Sequence, residues 1–176
     1  MRALGPGSVS SFLKVILDVT FYALWVGVGA LALLALAAIL LSFNPDLIGN
    51  VTIVSDEDLT GRGPLLAGGL MAAALYAGGV LAIVGELRRI FSTLTAGDPF
   101  HPDNVTRLRI IGGLLAALEI GRHVVAQASR ILIDKEIRSV DTGLNLTAWF
   151  AVLVVFVLAE VFREGARLRS EAELTI

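Results

Sequence analysis

Four apolar stretches, separated by polar segments, dominate the pattern of the chain. Residues 19–43, 63–85 and 142–159 contain no charged side chain, and residues 110–129 are mostly apolar but include three ionisable residues. Because a bilayer core requires about 20 residues of helix, the pattern predicts an all-α membrane protein with a single integral membrane domain. The four predicted transmembrane helices cover about residues 15–43, 64–86, 106–128 and 143–163. The first stretch is far longer than the roughly 7–15 apolar residues of a signal peptide, so we favour a membrane span over a cleaved signal.

The segment that joins the second and third spans, residues 87–112, has a different pattern. Leu87, Ile90, Phe91 and Leu94 recur at helical spacing and give one apolar face. The pattern predicts an amphipathic elbow helix that lies along the cytoplasmic membrane surface between the two spans.

Glycine and proline mark the turn inside this elbow. Gly97 suits a left-handed C-terminal helix cap, and Pro99 prevents the helix from continuing. Phe100 stands between two prolines and outside any periodic run, so we expect its ring to pack against another element. Pro102 is expected in the first turn of the next helix, where its missing amide donor costs least.

The two remaining connecting segments, residues 44–62 and 130–145, are polar. Residues 51–54 (Val-Thr-Ile-Val) predict a short strand, and Ile131, Ile133 and Ile137 predict a second strand or an interfacial turn. After the fourth span, residues 160–176 are charged, with acidic and basic residues three and four positions apart, which predicts a helical C-terminal tail.

Lysine and arginine are distributed unequally among the segments outside the spans. Nine lie in the N-terminal segment, the elbow and the tail, and four lie in residues 44–62 and 130–145. Basic residues concentrate on the cytoplasmic side of membrane proteins. We therefore expect both termini and the elbow to be cytoplasmic and the two other loops to be extracytoplasmic.

Composition narrows the class of protein further. The chain is 56% hydrophobic and 17% charged, with a mean hydropathy of +0.80, which is too apolar for an ordinary soluble domain. The net charge of −2 gives no overall attraction to nucleic acid, and the absence of cysteine excludes disulfides and thiol chemistry. The two histidines, His101 and His123, lie on opposite sides of the predicted membrane, which argues against a shared metal site.

Motifs of the common enzyme classes are absent from the sequence. It has no His-Glu-x-x-His, no glycine-rich phosphate loop and no nucleophile elbow. We therefore expect a non-enzymatic protein that requires no cofactor.

The elbow and the tail together resemble the domain-of-unknown-function 2975 family of small bacterial membrane proteins. The stretches that carry the resemblance are Leu-Arg-Arg-Ile-Phe at 87–91, Gly-Asp-Pro-Phe at 97–100, Pro-Asp-Asn at 102–104, Arg-Leu-Arg-Ile-Ile-Gly at 107–112, Phe-Arg-Glu-Gly-Ala-Arg-Leu at 162–168 and Leu-Thr-Ile at 174–176. At residue 101 this chain has His where Ser or Thr is usual. The resemblance implies a four-span protein of the bacterial inner membrane, often encoded beside a small helix-turn-helix regulator, and no enzymatic role.

Three ionisable residues inside the third span, Glu119, Arg122 and His123, are candidates for function, because such groups are costly in a membrane. Glu119 and His123 share a helix face with Gly112 and Ala116, so we expect this face to point into the bundle. One interpretation is a proton or substrate site. The other, which we favour, is a neutralised pair near the outer boundary, with Arg122 reaching toward the headgroups.

A second stripe on this helix consists of small residues, Gly113, Ala117 and Gly121. Such a stripe packs helices within one chain or marks a homo-oligomer interface, and we favour packing within the chain.

The elbow and tail supply the candidate partner-binding residues. These are Arg88, Arg89, Phe91, Phe100, Arg107, Arg109, Arg163 and Arg167. The arginines fit three roles: contact with a protein partner, contact with lipid phosphates, or the ordinary excess of positive charge on the cytoplasmic side.

The sequence therefore predicts a membrane protein that binds a small helix-turn-helix regulator at its cytoplasmic face, with no direct contact to nucleic acid. Two alternatives stay open. One is a small transporter or channel that uses Glu119, Arg122 and His123, and the other is an accessory subunit of a membrane complex.

Overall fold

The protein is all α-helical in a computed structural model, which describes residues 9–43, 63–132, 143 and 145–174. Its four helices are α1 (Val9–Phe43), α2 (Gly63–Thr95), α3 (Pro102–Leu132) and α4 (Leu146–Leu174). Within these ranges the chain forms no strand. The predicted strand at residues 51–54 and the positions of Ile133 and Ile137 lie outside the described residues, whereas Ile131 belongs to α3.

Three of the helices are long and apolar enough to cross a membrane. The candidate spans are Phe12–Leu40 in α1, Pro64–Thr95 in α2 and Leu146–Ala172 in α4. Most of their large apolar side chains point outward, which is the arrangement expected where lipid replaces water. α3 is not among these three helices. Glu119, Arg122, His123 and several polar residues near its ends lower its hydropathy.

The elbow differs from the prediction. Residues 87–95 do not form a separate helix, because α2 continues through them without interruption to Thr95. No glycine or proline breaks the chain between Gly85 and Gly97. The apolar face of Leu87, Ile90 and Phe91 is therefore the last part of α2.

The helices pack in chain order: α1 against α2, α2 against α3, and α3 against α4. Ion pairs join the first turns of α1 to the last turns of α2 (Asp18 to Arg88) and the α2–α3 turn to the end of α4 (Asp98 to Arg169). Consecutive helices are therefore antiparallel, and the starts of α1 and α3 lie beside the ends of α2 and α4. We call this the charged end.

The buried core lies near the charged end. Ile90 of α2, Leu108 and Ile111 of α3, and Ala159 of α4 form one cluster. Ile83, Leu87, Leu115, Val155 and Phe162 pack around it. The predicted elbow thus contributes core residues as well as surface, and the helical C-terminal tail is the uninterrupted end of α4.

Candidate functional site at the charged end

The turn between α2 and α3 begins with a regular helix cap. Gly97 has a φ of +84°, a conformation that costs glycine little and other residues much. The Asp98 amide donates to the Thr93 carbonyl at 3.0 Å, and the Gly97 amide donates to the Leu94 carbonyl at 3.1 Å. These two bonds form a Schellman motif, which confirms Gly97 as the cap predicted from sequence.

α3 begins with an unusual cap. Pro102 is its first residue, as predicted, and the preceding His101 takes the N-cap position. The His101 Nδ1 atom accepts a hydrogen bond from the Asp103 amide at 3.2 Å. A Ser or Thr oxygen normally accepts this bond, so the imidazole replaces the hydroxyl group and the cap is retained.

The buried side chain of Asn104 stabilises the turn through hydrogen bonds, and we call this group of bonds the Asn104 lock. Its side chain is fully buried, at 0% exposure. Its Nδ2 atom donates to Thr93 Oγ1 at 2.7 Å and to the Pro99 carbonyl at 3.2 Å. Its Oδ1 atom accepts from Arg107 Nη1 at 3.1 Å. Both amide protons and the amide oxygen therefore have partners, on α2, on the turn and on α3.

Arg107 extends this network to the end of α2. Its Nη1 atom also donates to the Arg89 carbonyl at 3.0 Å, one of the carbonyls near the end of α2. The Arg107 side chain is 20% exposed, which limits its contact with any partner. Arg107 was predicted to bind a partner, and the structure gives it this bridging contact within the chain.

Phe100 packs against α4, which confirms that the ring contacts another element. Its centroid lies 5.7 Å from that of Phe162. It also covers Gly165, where an added Cβ atom would lie 2.5 Å from Phe100 Cδ1. Together with the ion pair between Asp98 and Arg169, this contact joins the α2–α3 turn to the last turns of α4.

α1 attaches to the same end through Arg88. The Nε and Nη2 atoms of Arg88 contact Asp18 Oδ1 at 2.7 and 2.6 Å. The guanidinium also lies 4.3 Å from the ring centroid of Phe21 and 5.6 Å from that of Tyr22. An arginine favours such a position because its planar cation stacks on aromatic faces. No sequence motif singles out Asp18, Phe21 or Tyr22 as members of this site.

The predicted arginines are paired with acidic residues across much of this surface. Arg89 contacts Glu86 at 2.8 Å, Arg109 contacts Glu160 at 4.0 Å, Arg163 also contacts Glu160, and Arg167 contacts Glu164 and Glu171. The side chains of Arg89, Arg109, Arg163 and Arg167 are more than half exposed. The charged end is therefore a surface of mixed sign, with four accessible arginines.

Glu119, Arg122 and His123 converge at a separate site, toward the other end of α3. Glu119 is 7% exposed and contacts Arg122 Nη2 at 2.7 Å. Arg122 also donates to the Gly143 carbonyl at 3.4 Å, and Glu119 receives a backbone hydrogen bond from Asn145. The group thus holds the start of α4, where the helix dipole favours a carboxylate.

His123 lies beside this group but is bonded to it less firmly than Arg122 is. Its Nε2 atom lies 3.3 Å from Glu119 Oε1, but it has no hydrogen bond within the described part of the chain. Gly112, on the same helix face, lies against Phe156 of α4. This contact confirms that the face points into the bundle.

The stripe of small residues lines an open groove between α2 and α3. Ala117 and Gly121 belong to its wall, opposite Gly69, Ala72 and Ala73, and the groove measures about 550 Å³. Close contact between the two helices occurs at Gly79, whose position leaves no room for a Cβ atom beside Leu118. Packing within the chain therefore covers only part of this stripe.

Among the described residues, no three His, Asp or Glu side chains converge in a way that would hold a metal ion. The geometry of both sites suits ion pairing, hydrogen bonding and the joining of helices.

Replacing Asn104 by Ala should lower the free energy of unfolding by about 1–3 kcal/mol, because Thr93, the Pro99 carbonyl and Arg107 lose buried partners. The measurement is unfolding of the purified protein in detergent, followed by circular dichroism. Thr106→Ala, an exposed position two residues along α3, is the matched control. Equal stability of the two variants would contradict the role of Asn104 as a lock.

Replacing Glu119 by Gln should lower the thermal unfolding midpoint, because Arg122 and the start of α4 lose a buried carboxylate. Glu164→Gln removes a carboxylate with the same three-residue spacing to an arginine, but at an exposed site, where ion pairs contribute little. We expect the control to unfold near the wild-type temperature. A Glu119→Gln protein of unchanged midpoint that has lost ion or solute flux in liposomes would instead support a transporter.

The comparisons with known proteins give a family. No curated protein and no solved structure matches the chain significantly. The model of the family described as "Protein of unknown function (DUF2975)" matches residues 50–176. The match covers α2, α3 and α4, and with them the α2–α3 turn, the Asn104 lock and the contact between Phe100 and α4. The chain therefore belongs to the DUF2975 family.

Proposed function

We propose that this is a non-enzymatic protein of the bacterial inner membrane that binds a protein partner at its charged end. The partner is a small helix-turn-helix transcriptional regulator held at the cytoplasmic surface. What the family resemblance implies about neighbouring genes supports the regulator as partner, and the geometry of the charged end supports this end as the binding surface.

The observation that carries the proposal is the joining of the α2–α3 turn to α4. Phe100 packs on Phe162 and Gly165, and Asp98 pairs with Arg169. The elbow and tail residues thus form one surface with fixed spacing. A preorganised surface binds at lower entropic cost, because its side chains are already ordered before the partner arrives.

The charge of this surface favours a protein over a nucleic acid. Arg109 and Arg163 share Glu160, and Arg167 contacts two glutamates. A polyanion would meet these glutamates beside every arginine, whereas binding to nucleic acid gains from unopposed positive charge. A partner with its own acidic and basic residues can match both signs.

We propose further that α3 is the fourth transmembrane helix, with both termini cytoplasmic. At 31 residues, α3 extends about 46 Å, more than the roughly 30 Å of a bilayer core. Pairing of Glu119 with Arg122 reduces the cost of placing their charges beside lipid. The excess of Lys and Arg at the charged end supports the orientation.

A transporter is the second candidate, and one observation favours it. The Nε2 atom of His123 is buried beside Glu119 and has no hydrogen bond within the described residues. The attachment of Glu119 and Arg122 to the start of α4 favours a structural role, and we therefore rank the transporter below the binding protein. An accessory subunit of a membrane complex is the third candidate, supported by the open α2–α3 groove.

The topology can be tested with single cysteines, because the chain has none of its own. In intact cells, a membrane-impermeant maleimide should label Ser55→Cys, in the predicted extracytoplasmic loop, and should leave Ser170→Cys, near the end of α4, unlabelled. Both should be labelled after the membrane is opened. Labelling of Ser170→Cys in intact cells would contradict the proposed orientation.

The binding function can be tested with Phe100→Ala. Removal of a fully buried Phe costs about 3–5 kcal/mol, and the cost here should be smaller because Phe100 is 38% exposed. The variant should therefore insert normally but loosen the surface and release the regulator. The measurement is the fraction of the neighbouring helix-turn-helix protein that sediments with membranes, together with transcription of its targets.

Phe150→Ala is the matched control, because this exposed phenylalanine lies on α4 away from the charged end. Truncation after Arg169 is a second test variant, since it removes the last residues of the tail and leaves the pair with Asp98 intact. An equal soluble fraction of the regulator in wild type, both variants and a complete deletion would remove the anchoring proposal.

A further inference from the structure

A cleft of about 430 Å³ lies between α1 and α2 at the charged end. Its walls combine cations with apolar side chains: Lys14, Arg88 and Arg89 on one hand, and Leu17, Phe21 and Phe91 on the other. Asp18 is the single acidic residue of the lining. The cleft lies on α1 and the end of α2, and neither Phe162 nor Gly165 belongs to its lining.

The position of the cleft along the helices corresponds to the headgroup level of a bilayer. In α1 the charge-free stretch begins at Val19, directly after Asp18, and in α2 it ends at Gly85, which itself lines the cleft. Charged residues at the boundary of an apolar span lie beside phospholipid headgroups. The apolar part of the lining then faces the glycerol and upper acyl region.

The cations of the cleft keep donors for a ligand. Lys14 is exposed and has no ion pair within the described part of the chain. Arg88 uses Nε and Nη2 for Asp18, and Arg89 uses Nη1 for Glu86. One nitrogen of Arg88 and two of Arg89 are not used in these bonds.

Arg88 is also held in place before any ligand arrives. Asp18 and the rings of Phe21 and Tyr22 fix its guanidinium. A fixed, planar guanidinium is suited to phosphate oxygens, which accept charge-assisted hydrogen bonds. Arg88 is paired with Asp18, and Arg89 is paired with Glu86, which lies outside the lining, so Lys14 supplies the net positive charge that favours an anion.

We propose that this cleft is a binding site for the phosphate group of an anionic phospholipid, such as phosphatidylglycerol. Arg88 positions the phosphate, Lys14 and Arg89 supply further donors, and Phe21 and Phe91 contact the apolar part of the lipid. The site requires neither the regulator nor the surface formed by Phe100 and α4, so it stands or falls independently of the proposed function.

The test measures the affinity of the full chain for phosphatidylglycerol. The protein is purified in detergent, delipidated and titrated with the lipid, and bound lipid is counted by native mass spectrometry. The double variant Lys14→Gln/Arg89→Gln should lose affinity by about fivefold for each cation removed. The matched control Arg163→Gln/Arg167→Gln removes two exposed arginines from α4 and should keep wild-type affinity. Lys14→Arg, which retains the charge, should also bind as wild type does.

Two further probes distinguish the source of the phosphate. Phosphatidylcholine, which has no net charge, should bind to the wild type more weakly than phosphatidylglycerol does. The double variant should bind phosphatidylcholine as weakly as the wild type does. Inorganic phosphate at millimolar concentration should not displace phosphatidylglycerol, because it cannot contact the apolar lining.

Three outcomes would overturn the proposal. Equal loss of affinity in the α4 control would show a general attraction to positive charge. Full displacement by inorganic phosphate would show a free-phosphate site. Wild-type affinity in a folded double variant would show that the cleft does not bind the lipid.

Discussion

The fold depends on satisfying the polar groups that meet where α2 turns into α3. Two helix termini and a buried amide lie together there, and none of these groups tolerates burial without a partner. Asn104 satisfies this constraint by bonding to α2, to the turn and to Arg107 of α3 at once. Because the surrounding core of Ile90, Leu108 and Ile111 packs beside this network, the hydrogen bonds set the geometry and the apolar contacts stabilise it.

Sequence features that restrict the backbone locally were interpreted correctly, whereas the specific partners of side chains that contact distant residues could not be identified. Gly97 and Pro102 each impose a conformation on their own position, so the end of α2 and the start of α3 could be predicted. The contact between Asp18 and Arg88 spans 70 residues, and no short pattern encodes it. Asn104 belonged to a stretch that carried the family resemblance, but an asparagine after a proline has no distinctive spacing that would reveal three bonding partners.

Amphipathic periodicity alone does not determine where a helix lies. The apolar face of residues 87–94 was interpreted as contact with the membrane surface, and Ile90 is in fact 6% exposed within the core. Sequence alone likewise does not determine whether an arginine contacts a partner or another part of the same chain. Arg88 and Arg107, both predicted to bind partners, are largely occupied in joining α1 to α2 and α2 to α3. Among the described residues of the charged end, the most accessible arginines are Arg89 on α2, Arg109 on α3, and Arg163 and Arg167 on α4. Lys14 is exposed as well, although its position in the sequence had indicated only the orientation of the chain.

The contact of Phe100 with Gly165 fixes the α2–α3 turn against α4, and the length of α3 sets how far a change at the turn would reach. α3 has 31 residues, so its far end lies about 46 Å from the turn. A tilt of about 5° at the turn would move that far end by about 4 Å on this length. Gly165 has no side chain, so the Phe100 ring rests directly against the α4 backbone. Glu119 and Arg122 also join α3 to the start of α4, so the two helices are held together at both ends and such a tilt would strain both junctions.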